Sequence, residues 1–288
     1  MSELHSLIQA ELSEPVDPRI YKMAAAIAAL HPSSQAVLFY GSCLRESQLD
    51  GLMLDFYVIV SDYRLAYAKK WLATANRLIP PNVFPFAHNG LAAKYAVLSE
   101  DDFSQLMGVE ASTVSVWARF AQPTRLVWTA DGSVDARMTS IIANASETVM
   151  SLAAPIASTQ DVLANWQVAF AETYKAELRA ERGGRSNSIV DADPARYLAI
   201  GSVIRSKPYG GADETWKKWR ALQRRGKLMS IVRLAKASLT FSGGIDYLAW
   251  KINRHAGTKI EIKPWQRRGP LIAAITLVPK LFRQGAIK

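Results

Sequence analysis

The feature that most constrains the fold is an alternation between short apolar runs and segments with helical periodicity. Four apolar runs have the length of β-strands: 36–40, 54–60, 92–98 and 126–128. Beside them, segments 20–30 and 64–79 repeat apolar residues at the three- and four-residue spacing of a helix that buries one face. Strands and helices that alternate along a chain pack as layers around one core. Segment 1–133 is therefore predicted to form a β-sheet flanked by helices.

The rest of the chain divides into two further parts. Between 134 and 180 helix breakers are scarce and helical periodicity dominates, whereas 182–188 is rich in Gly and Ser and is predicted to be a loop. A Pro- and Gly-bearing stretch then separates a basic segment that opens with a predicted helix at 214–236. We therefore predict an α+β protein of three units: a mixed-sheet domain at 1–133, an α-helical domain at 134–207 and a basic C-terminal region at 208–288.

Positive charge is concentrated in the C-terminal third of the chain. The whole sequence carries a formal net charge of +10, but residues 205–288 hold 19 Lys and Arg against 4 Asp and Glu. Residues 1–204 hold 16 against 21 and are acidic overall. A segment so basic needs a polyanionic neighbour or a wide solvated face. Nucleic acid, an anionic lipid surface and an acidic protein are all candidate partners, since the sign of the charge does not distinguish them.

The basic region also carries features of a membrane-surface element. It holds four of the eight tryptophans: Trp216, Trp219, Trp250 and Trp265. Segment 271–278 is apolar apart from one threonine, is flanked by Lys and Arg, and is too short to cross a bilayer. Lys and Arg are attracted to anionic leaflets, and Trp prefers the depth of the lipid headgroups. We expect 271–278 to lie in the membrane interface; the alternative is a buried helix under a basic surface.

Cysteine content and the N-terminus bear on where the protein works. Cys43 is the single cysteine, so no internal disulfide can form and a reducing compartment is expected. The first residues lack the basic start and apolar run of a signal peptide. No run of about 18 apolar residues is present to cross a bilayer. We therefore expect a cytoplasmic protein without a membrane span.

A glycine–serine turn and a carboxylate in the next strand form the candidate catalytic motif. Gly41-Ser42 follows the first apolar run, and Asp55 lies inside the second. Glycine lets a backbone approach phosphate closely, and the amides and hydroxyl of such a turn can bind it. An ionised carboxylate in an apolar strand is costly unless it is paired or binds a metal, so Asp55 is expected to be functional. This layout resembles that of the nucleotidyltransferase superfamily, in which the strand carboxylate holds Mg²⁺.

The second acid of that superfamily is missing at its usual place. Two acids that are two residues apart on the strand face the same side and share the metal. Here the other position is Met53, whose thioether is a poor ligand for Mg²⁺. Asp50, Glu177 and Glu46 are the candidates to complete the metal shell, and the sequence does not rank them.

The departure at Met53 points to one branch of the superfamily. Tyr40-Gly41-Ser42 followed by Met53-Leu54-Asp55-Phe56 resembles the mitochondrial translocator-maintenance type of phosphatidate cytidylyltransferase, a soluble CDP-diacylglycerol synthase family. Further segments resemble that family in the same order: Asn89, Lys94-Tyr95-Ala96-Val97, Trp117 to Pro123, Tyr174 to Arg179 and Ser188-Ile189-Val190. The chain departs from the family pattern at Gln122, Ala176, Glu177 and Ser188. Beyond Val190 the resemblance rests on basic, Trp-bearing character alone.

The resemblance implies a reaction in which CTP and phosphatidic acid give CDP-diacylglycerol and pyrophosphate. It implies a nucleotidyltransferase fold for 1–133, a helical domain at 134–207 that completes the active-site cleft, and a membrane-associating region at 208–288. The implied catalytic residues are Asp55, Ser42 and Lys94, with Asp55 also the ligand of Mg²⁺. The implied nucleotide-binding residues are Tyr40, Gly41, Ser42, Lys94 and Asn89. The implied substrate-binding residues are Arg119, Tyr174, Glu177 and Arg179.

Several of these residues have an ordinary structural alternative. Lys94 can extend its stem from a strand end so that the ammonium reaches water. The four substrate-binding candidates can instead form ion pairs or packing contacts on helix surfaces.

The implied partners are CTP, phosphatidic acid and an anionic membrane surface, with Mg²⁺ as cofactor and no nucleic acid expected. The implied location is peripheral, on the inner face of the cytoplasmic membrane. Two other functions remain open. A nucleotidyltransferase that acts on nucleic acid would also use a basic region with Arg and Trp to stack on bases. A catalytically inactive anionic-lipid-binding protein would account for the missing acid at Met53.

Overall fold

A mixed five-stranded sheet is the centre of the computed structural model, which describes residues 2–46, 48–157, 159–177, 189–205 and 207–240. The strands are β1 Ser34–Tyr40, β2 Met53–Val60, β3 Asn82–His88, β4 Leu91–Ser99 and β5 Thr124–Thr129. Their order across the sheet is β3-β4-β2-β1-β5. β2 and β4 run parallel, whereas the other neighbouring pairs are antiparallel.

Helices cover both faces of this sheet. In the described part of the chain, those before β5 are α1 Glu3–Leu12, α2 Pro18–Ala28, α3 Tyr63–Ala66, α4 Lys70–Leu78, α5 Glu100–Met107 and α6 Trp117–Phe120. Those after β5 include α7 Ser133–Ala157, α8 Val162–Ala176, α9 Pro194–Val203 and α10 Ala212–Thr240. Side chains of α2, α3 and α4 pack on one face, and those of α1 and of α5 to α10 belong to the core on the other. The predicted α+β class, with a mixed sheet flanked by helices and a helical region after it, is confirmed.

The core on the second face joins the sheet to the C-terminal helices. It includes Ile59 of β2, Trp117 of α6 and Trp219 of α10. Trp219 is fully buried, its indole N–H donates to the carbonyl of Leu152 at 3.1 Å, and its ring meets that of Trp117 edge to face. A headgroup-facing position for Trp219 was therefore wrong, because this side chain anchors α10 to the body of the protein.

Two local predictions also differ from the structure. Segment 64–79 forms two helices rather than one, because the backbone at Tyr67 is extended and separates α3 from α4. Strand β3 was not predicted, since Pro85 lies inside it. β3 is the edge strand of the sheet as described, and proline is tolerated there because no other described strand pairs with its outer side and needs its N–H.

Part of the predicted organisation lies outside the described residues. This applies to Trp250, Trp265, Arg179, the loop at 182–188 and the apolar segment 271–278. Within the described residues, no helix combines the length and apolar character that a bilayer crossing needs. The domain boundaries at 133 and 207 stay predictions.

Helix α10 crosses the end of α8 so closely that Gly226 has no room for a side chain. A Cβ at Gly226 would overlap the carbonyl oxygen of Ala176. We expect Gly226→Ala to lower the free energy of unfolding by about 1–3 kcal/mol, because the two helices must move apart. Urea denaturation measures this change.

Gly132→Ala is the matched control, because a Cβ at Gly132 would meet nothing within 4 Å. Its free energy of unfolding should stay within about 0.5 kcal/mol of wild type. If the two variants are equally stable, α10 does not pack on α8 as described.

Candidate active site at the end of the sheet

Three polar side chains meet where β1 ends and where β2 and β4 begin. Tyr40 lies opposite Asp55 in the antiparallel β1–β2 pair, and Asp55 lies opposite Lys94 in the parallel β2–β4 pair. Residues in register on neighbouring strands project from the same face of a sheet. The strand register therefore brings Tyr40, Asp55 and Lys94 together, as the sequence motifs require of one site.

Asp55 and Lys94 form an ion pair at this point. Lys94 Nζ lies 2.9 Å from Asp55 Oδ1, and the Lys94 and Asp55 side chains are 30% and 22% exposed. Oδ1 is buried and, apart from this contact, accepts no hydrogen bond within the described chain. The carboxylate therefore has lone pairs to offer a cation, and the ammonium can bind an anion held beside it.

The turn after β1 lies directly against Asp55. Gly41 has a φ of 96°, which favours glycine, and a Cβ at this position would lie 3.4 Å from Asp55 Oδ2. A short 3₁₀ helix, Ser42–Arg45, begins immediately after it, and no side chain caps its first turn. Ser42 is exposed. The backbone amides and the hydroxyl of this turn are thus placed to bind phosphate next to the carboxylate.

Arg119 and Glu177 form a second ion pair, between α6 and the end of α8. Arg119 Nη1 lies 3.1 Å from Glu177 Oε1 and also donates to the carbonyl of Ser115. Burial lowers the pKa of Arg119, but the negative charge of Glu177 and the nearby tyrosine hydroxyls raise it more, so the net pKa lies above its ordinary value. The guanidinium is therefore always charged and is fixed in position.

Tyrosine side chains connect the two ion pairs. The ring of Tyr40 lies 5.3 Å from that of Tyr57 and 5.8 Å from that of Phe120, the residue after Arg119. Burial raises the pKa of Tyr40, and the charge of Asp55 raises it further, while Arg119 acts in the opposite direction. The Tyr40 hydroxyl is thus within electrostatic range of both ion pairs, and it stays protonated as a hydrogen-bond donor.

Sequence reasoning missed two basic residues of α10 that reach the same region. Arg233 donates to the hydroxyl of Ser115 at 2.7 Å and to the carbonyl of Pro80 at 2.9 Å. Lys236 donates to the carbonyls of Ile79 and Pro81. Burial, and then the charge of Arg233, lower the pKa of Lys236 to about 7. The surplus of basic residues after 204 was the available signal, but a linear pattern does not show which of them fold inward.

The other predicted site residues have positions that the fold explains. Asn89 and Gly90, with φ of 48° and 79°, form the two-residue turn of the β3–β4 hairpin, a conformation that this residue pair favours. Tyr174 is half-buried and packs against the core. Arg179 lies outside the described residues. Binding roles for Asn89, Tyr174 and Arg179 stay predictions.

The acids considered as partners of Asp55 are engaged or exposed. Asp50 lies 3.4 Å from Arg19, Glu177 is paired with Arg119, and Glu46 is exposed after the 3₁₀ helix. Across the described ranges, no group of three or more His, Cys, Asp and Glu is close enough together to hold a metal ion. Asp55 is therefore the leading candidate for a protein ligand to a cation at this site.

Comparisons with known proteins leave the family open. No family model and no curated protein sequence matches this chain. The crystal structure of a nucleotidyltransferase-like protein from Exiguobacterium sibiricum is similar over 92% of each chain, with 11% sequence identity and a TM-score of 0.30. A TM-score this low does not establish a common fold, so conclusions about function depend on the site residues themselves.

The low pKa of Lys236 predicts a specific pH dependence of stability. In the unfolded chain the lysine has its ordinary pKa of about 10.4, so between pH 7 and that value the unfolded state binds more protons than the folded state. Folding therefore becomes more favourable as the pH rises through this window. We expect Lys236→Met, which keeps the stem but removes the ammonium, to lose this rise in urea denaturation at pH 7 to 10.

Lys227→Met is the control, because Lys227 is exposed on the same helix. It should keep the pH dependence of wild type. Identical pH profiles for wild type and Lys236→Met would contradict a depressed pKa at Lys236.

Proposed function

We propose that this protein is a nucleotidyltransferase that transfers CMP from CTP to phosphatidic acid. The proposal is supported above all by the position of Gly41, where a Cβ would lie 3.4 Å from Oδ2 of Asp55, a carboxylate that is itself paired with Lys94. A phosphate-binding turn, a carboxylate for a cation and an ammonium thus share one strand end. The choice of phosphatidic acid as acceptor is supported by the resemblance of the ordered motifs between Tyr40 and Val190 to the soluble CDP-diacylglycerol synthases.

The proposed reaction is a displacement at the α-phosphorus of CTP. An oxygen of the lipid phosphate forms a bond to that phosphorus, while the bond from the phosphorus to the α–β bridging oxygen breaks. The electron pair of the broken bond leaves with pyrophosphate. Two anions must approach each other in this step, so catalysis depends on positioning and charge neutralisation rather than on a protein nucleophile.

The residues at the strand end fit a magnesium ion. Asp55 offers a carboxylate whose buried Oδ1 accepts no hydrogen bond from the described residues apart from its contact with Lys94, whereas the side chain of Met53 contains no oxygen. Mg²⁺ in such enzymes is often held by one or two carboxylates and completes its shell with water and substrate phosphates. Bound to Asp55, it would neutralise charge on the phosphates and on the departing pyrophosphate.

The protein's own groups bind and orient the substrates. Amides of the Gly41-Ser42 turn and the Ser42 hydroxyl donate to phosphate oxygens, and Lys94 supplies positive charge from the neighbouring strand. Arg119 adds a guanidinium that Glu177 holds in place. Tyr40 contributes a neutral donor.

The location of the reaction follows from the substrate, because phosphatidic acid resides in a bilayer. We propose a cytoplasmic protein that binds the membrane surface peripherally, through the basic residues and the segment 271–278. This segment lies outside the described residues, so its role rests on its sequence alone.

Label transfer tests the proposal. The full chain is incubated with CTP labelled at the α-phosphate, Mg²⁺ and liposomes of phosphatidic acid, and the lipid fraction is analysed. Labelled CDP-diacylglycerol is the expected product. Label found in RNA, when RNA replaces the liposomes, would instead favour the nucleic-acid enzyme. Binding to the liposomes with no labelled product in either reaction would favour the inactive lipid-binding protein.

Asp55→Asn should abolish nearly all transfer while the protein stays folded. The amide keeps the shape of the side chain but loses the charge for the cation, and losses of transition-state charge stabilisation cost about 10²-fold or more in rate. Asp101→Asn, which removes an exposed carboxylate from α5, is the control and should retain activity. Wild-type turnover in Asp55→Asn would show that Asp55 is structural.

The variants Gly41→Ala and Gly51→Ala distinguish two effects of a new Cβ: a contact with Asp55, which should lower activity, and backbone strain, which should lower stability. Both glycines have positive φ, 96° and 78°, but only a Cβ at Gly41 would touch Asp55. We expect both variants to lose about 1–2 kcal/mol of stability from strain. Transfer activity, measured well below the melting temperature, should fall in Gly41→Ala alone. Equal activity in the two variants would remove the turn from the site.

A further inference from the structure

Two arginines from distant parts of the chain meet at Ser115, in the loop before α6. Arg119 Nη1 donates to the carbonyl of Ser115, and Arg233 Nη1 donates to its hydroxyl at 2.7 Å. Arg233 Nε is also held by the carbonyl of Pro80 at 2.9 Å. Both guanidinium groups are therefore held by hydrogen bonds to Ser115, and that of Arg233 also by one to Pro80, before any ligand binds.

Positive charge exceeds negative charge around this serine. Arg119 has Glu177 as its ion-pair partner. Arg233 donates to a hydroxyl and a carbonyl, and no carboxylate of the described ranges lies within ion-pair distance of it. Burial is the main cause that lowers the pKa of Arg233, and the like charge of Arg119 acts in the same direction, while Tyr57 and the charge of Glu177 act against it. Arginine nevertheless stays protonated at neutral pH, so a partly buried cation remains that no carboxylate of the described ranges pairs with.

We propose that Arg119 and Arg233 together bind a phosphate group of a substrate, and that α10 thereby contributes a binding residue to the active site. A guanidinium presents a planar fork of N–H donors that matches phosphate oxygens. A bound phosphate would also offset the cost of the charge on Arg233, which has no carboxylate partner among the described residues. The inference rests on the proposed nucleotidyltransferase function and concerns a residue beyond Val190, where the family resemblance ends.

The arginine pair lies beside the catalytic strand end. Tyr57 follows Asp55 by two residues on the same face of β2, and its hydroxyl is within electrostatic range of Arg119, Arg233 and Asp55. Burial is the main cause that raises the pKa of Tyr57, so this hydroxyl stays neutral and can donate. The Tyr57 ring also lies 5.3 Å from the ring of Tyr40, which is in register with Asp55. A phosphate held by the two arginines would therefore lie near the group bound at Asp55.

Two substrates carry the phosphate chemistry that this pair recognises. One is the triphosphate of the nucleotide, and the other is the phosphomonoester of the lipid. Three probes distinguish them: inorganic pyrophosphate, CTP and a short-chain phosphatidic acid. Calorimetric titration of the full chain measures the affinity of each.

Arg233→Gln removes the charge but keeps an amide donor for the Pro80 carbonyl. We expect its affinity for at least one probe to fall about 10-fold or more, the effect of losing a hydrogen bond to a charged group. Arg233→Lys restores the charge without the fork and should recover part of the loss. Arg224→Ala removes an exposed charge from the same helix and should stay within about twofold of wild type.

If affinity falls only for pyrophosphate and CTP, the two arginines bind the triphosphate of the nucleotide. If it falls only for phosphatidic acid, they bind the phosphate of the acceptor lipid. Unchanged affinity for all three probes overturns the inference. If Arg233→Gln does not fold, Arg233→Met, which keeps the apolar stem, is tested in the same way.

This experiment measures binding and not turnover. A chain that transfers no CMP can therefore still lose affinity for a phosphate probe when Arg233 is replaced, and an active chain can keep it. Failure of this inference is thus distinguishable from failure of the proposed function.

Discussion

The parallel pairing of β2 with β4 is the constraint on which the site depends. It sets Asp55 directly beside Lys94, so a carboxylate in an otherwise apolar strand gains a partner and its cost is offset. The antiparallel partner β1 then ends opposite Asp55, which brings the Gly41 turn against the carboxylate. A slip of one residue in either register would send one partner to the opposite face of the sheet and dismantle the site.

The helical core on the same face explains how residues of the basic C-terminal third come to lie near the candidate site. The buried side chain of Trp219 anchors α10 in that core, and the missing side chain at Gly226 lets α10 approach α8 closely. The helix then carries Arg233 and Lys236 to the polypeptide segments around Ser115 and Pro80. Some of the basic side chains of this region therefore face the interior of the protein and are not available to a membrane surface.

The parts of the fold and of the candidate site that the sequence predicts are those whose pattern lies within a short segment of the chain. Apolar runs predicted β1, β2, β4 and β5, and the spacing of Gly41, Asp55 and Lys94 predicted one site, because strand length and side-chain alternation are properties of short segments. Strand β3 escaped prediction because proline argues against a strand unless its edge position is known. Arg233 and Trp219 were missed or misplaced because burial depends on contacts with Ser115 and Leu152, which are distant in the chain.

A crystal structure of the full chain with Mg²⁺ and a non-hydrolysable CTP analogue would show directly whether the nucleotide and the cation bind at this strand end. We expect the triphosphate against the Gly41-Ser42 turn, the cation on Asp55, and Lys94 turned from the carboxylate toward a phosphate oxygen. A nucleotide bound elsewhere, with the ion pair between Asp55 and Lys94 intact, would contradict this expectation.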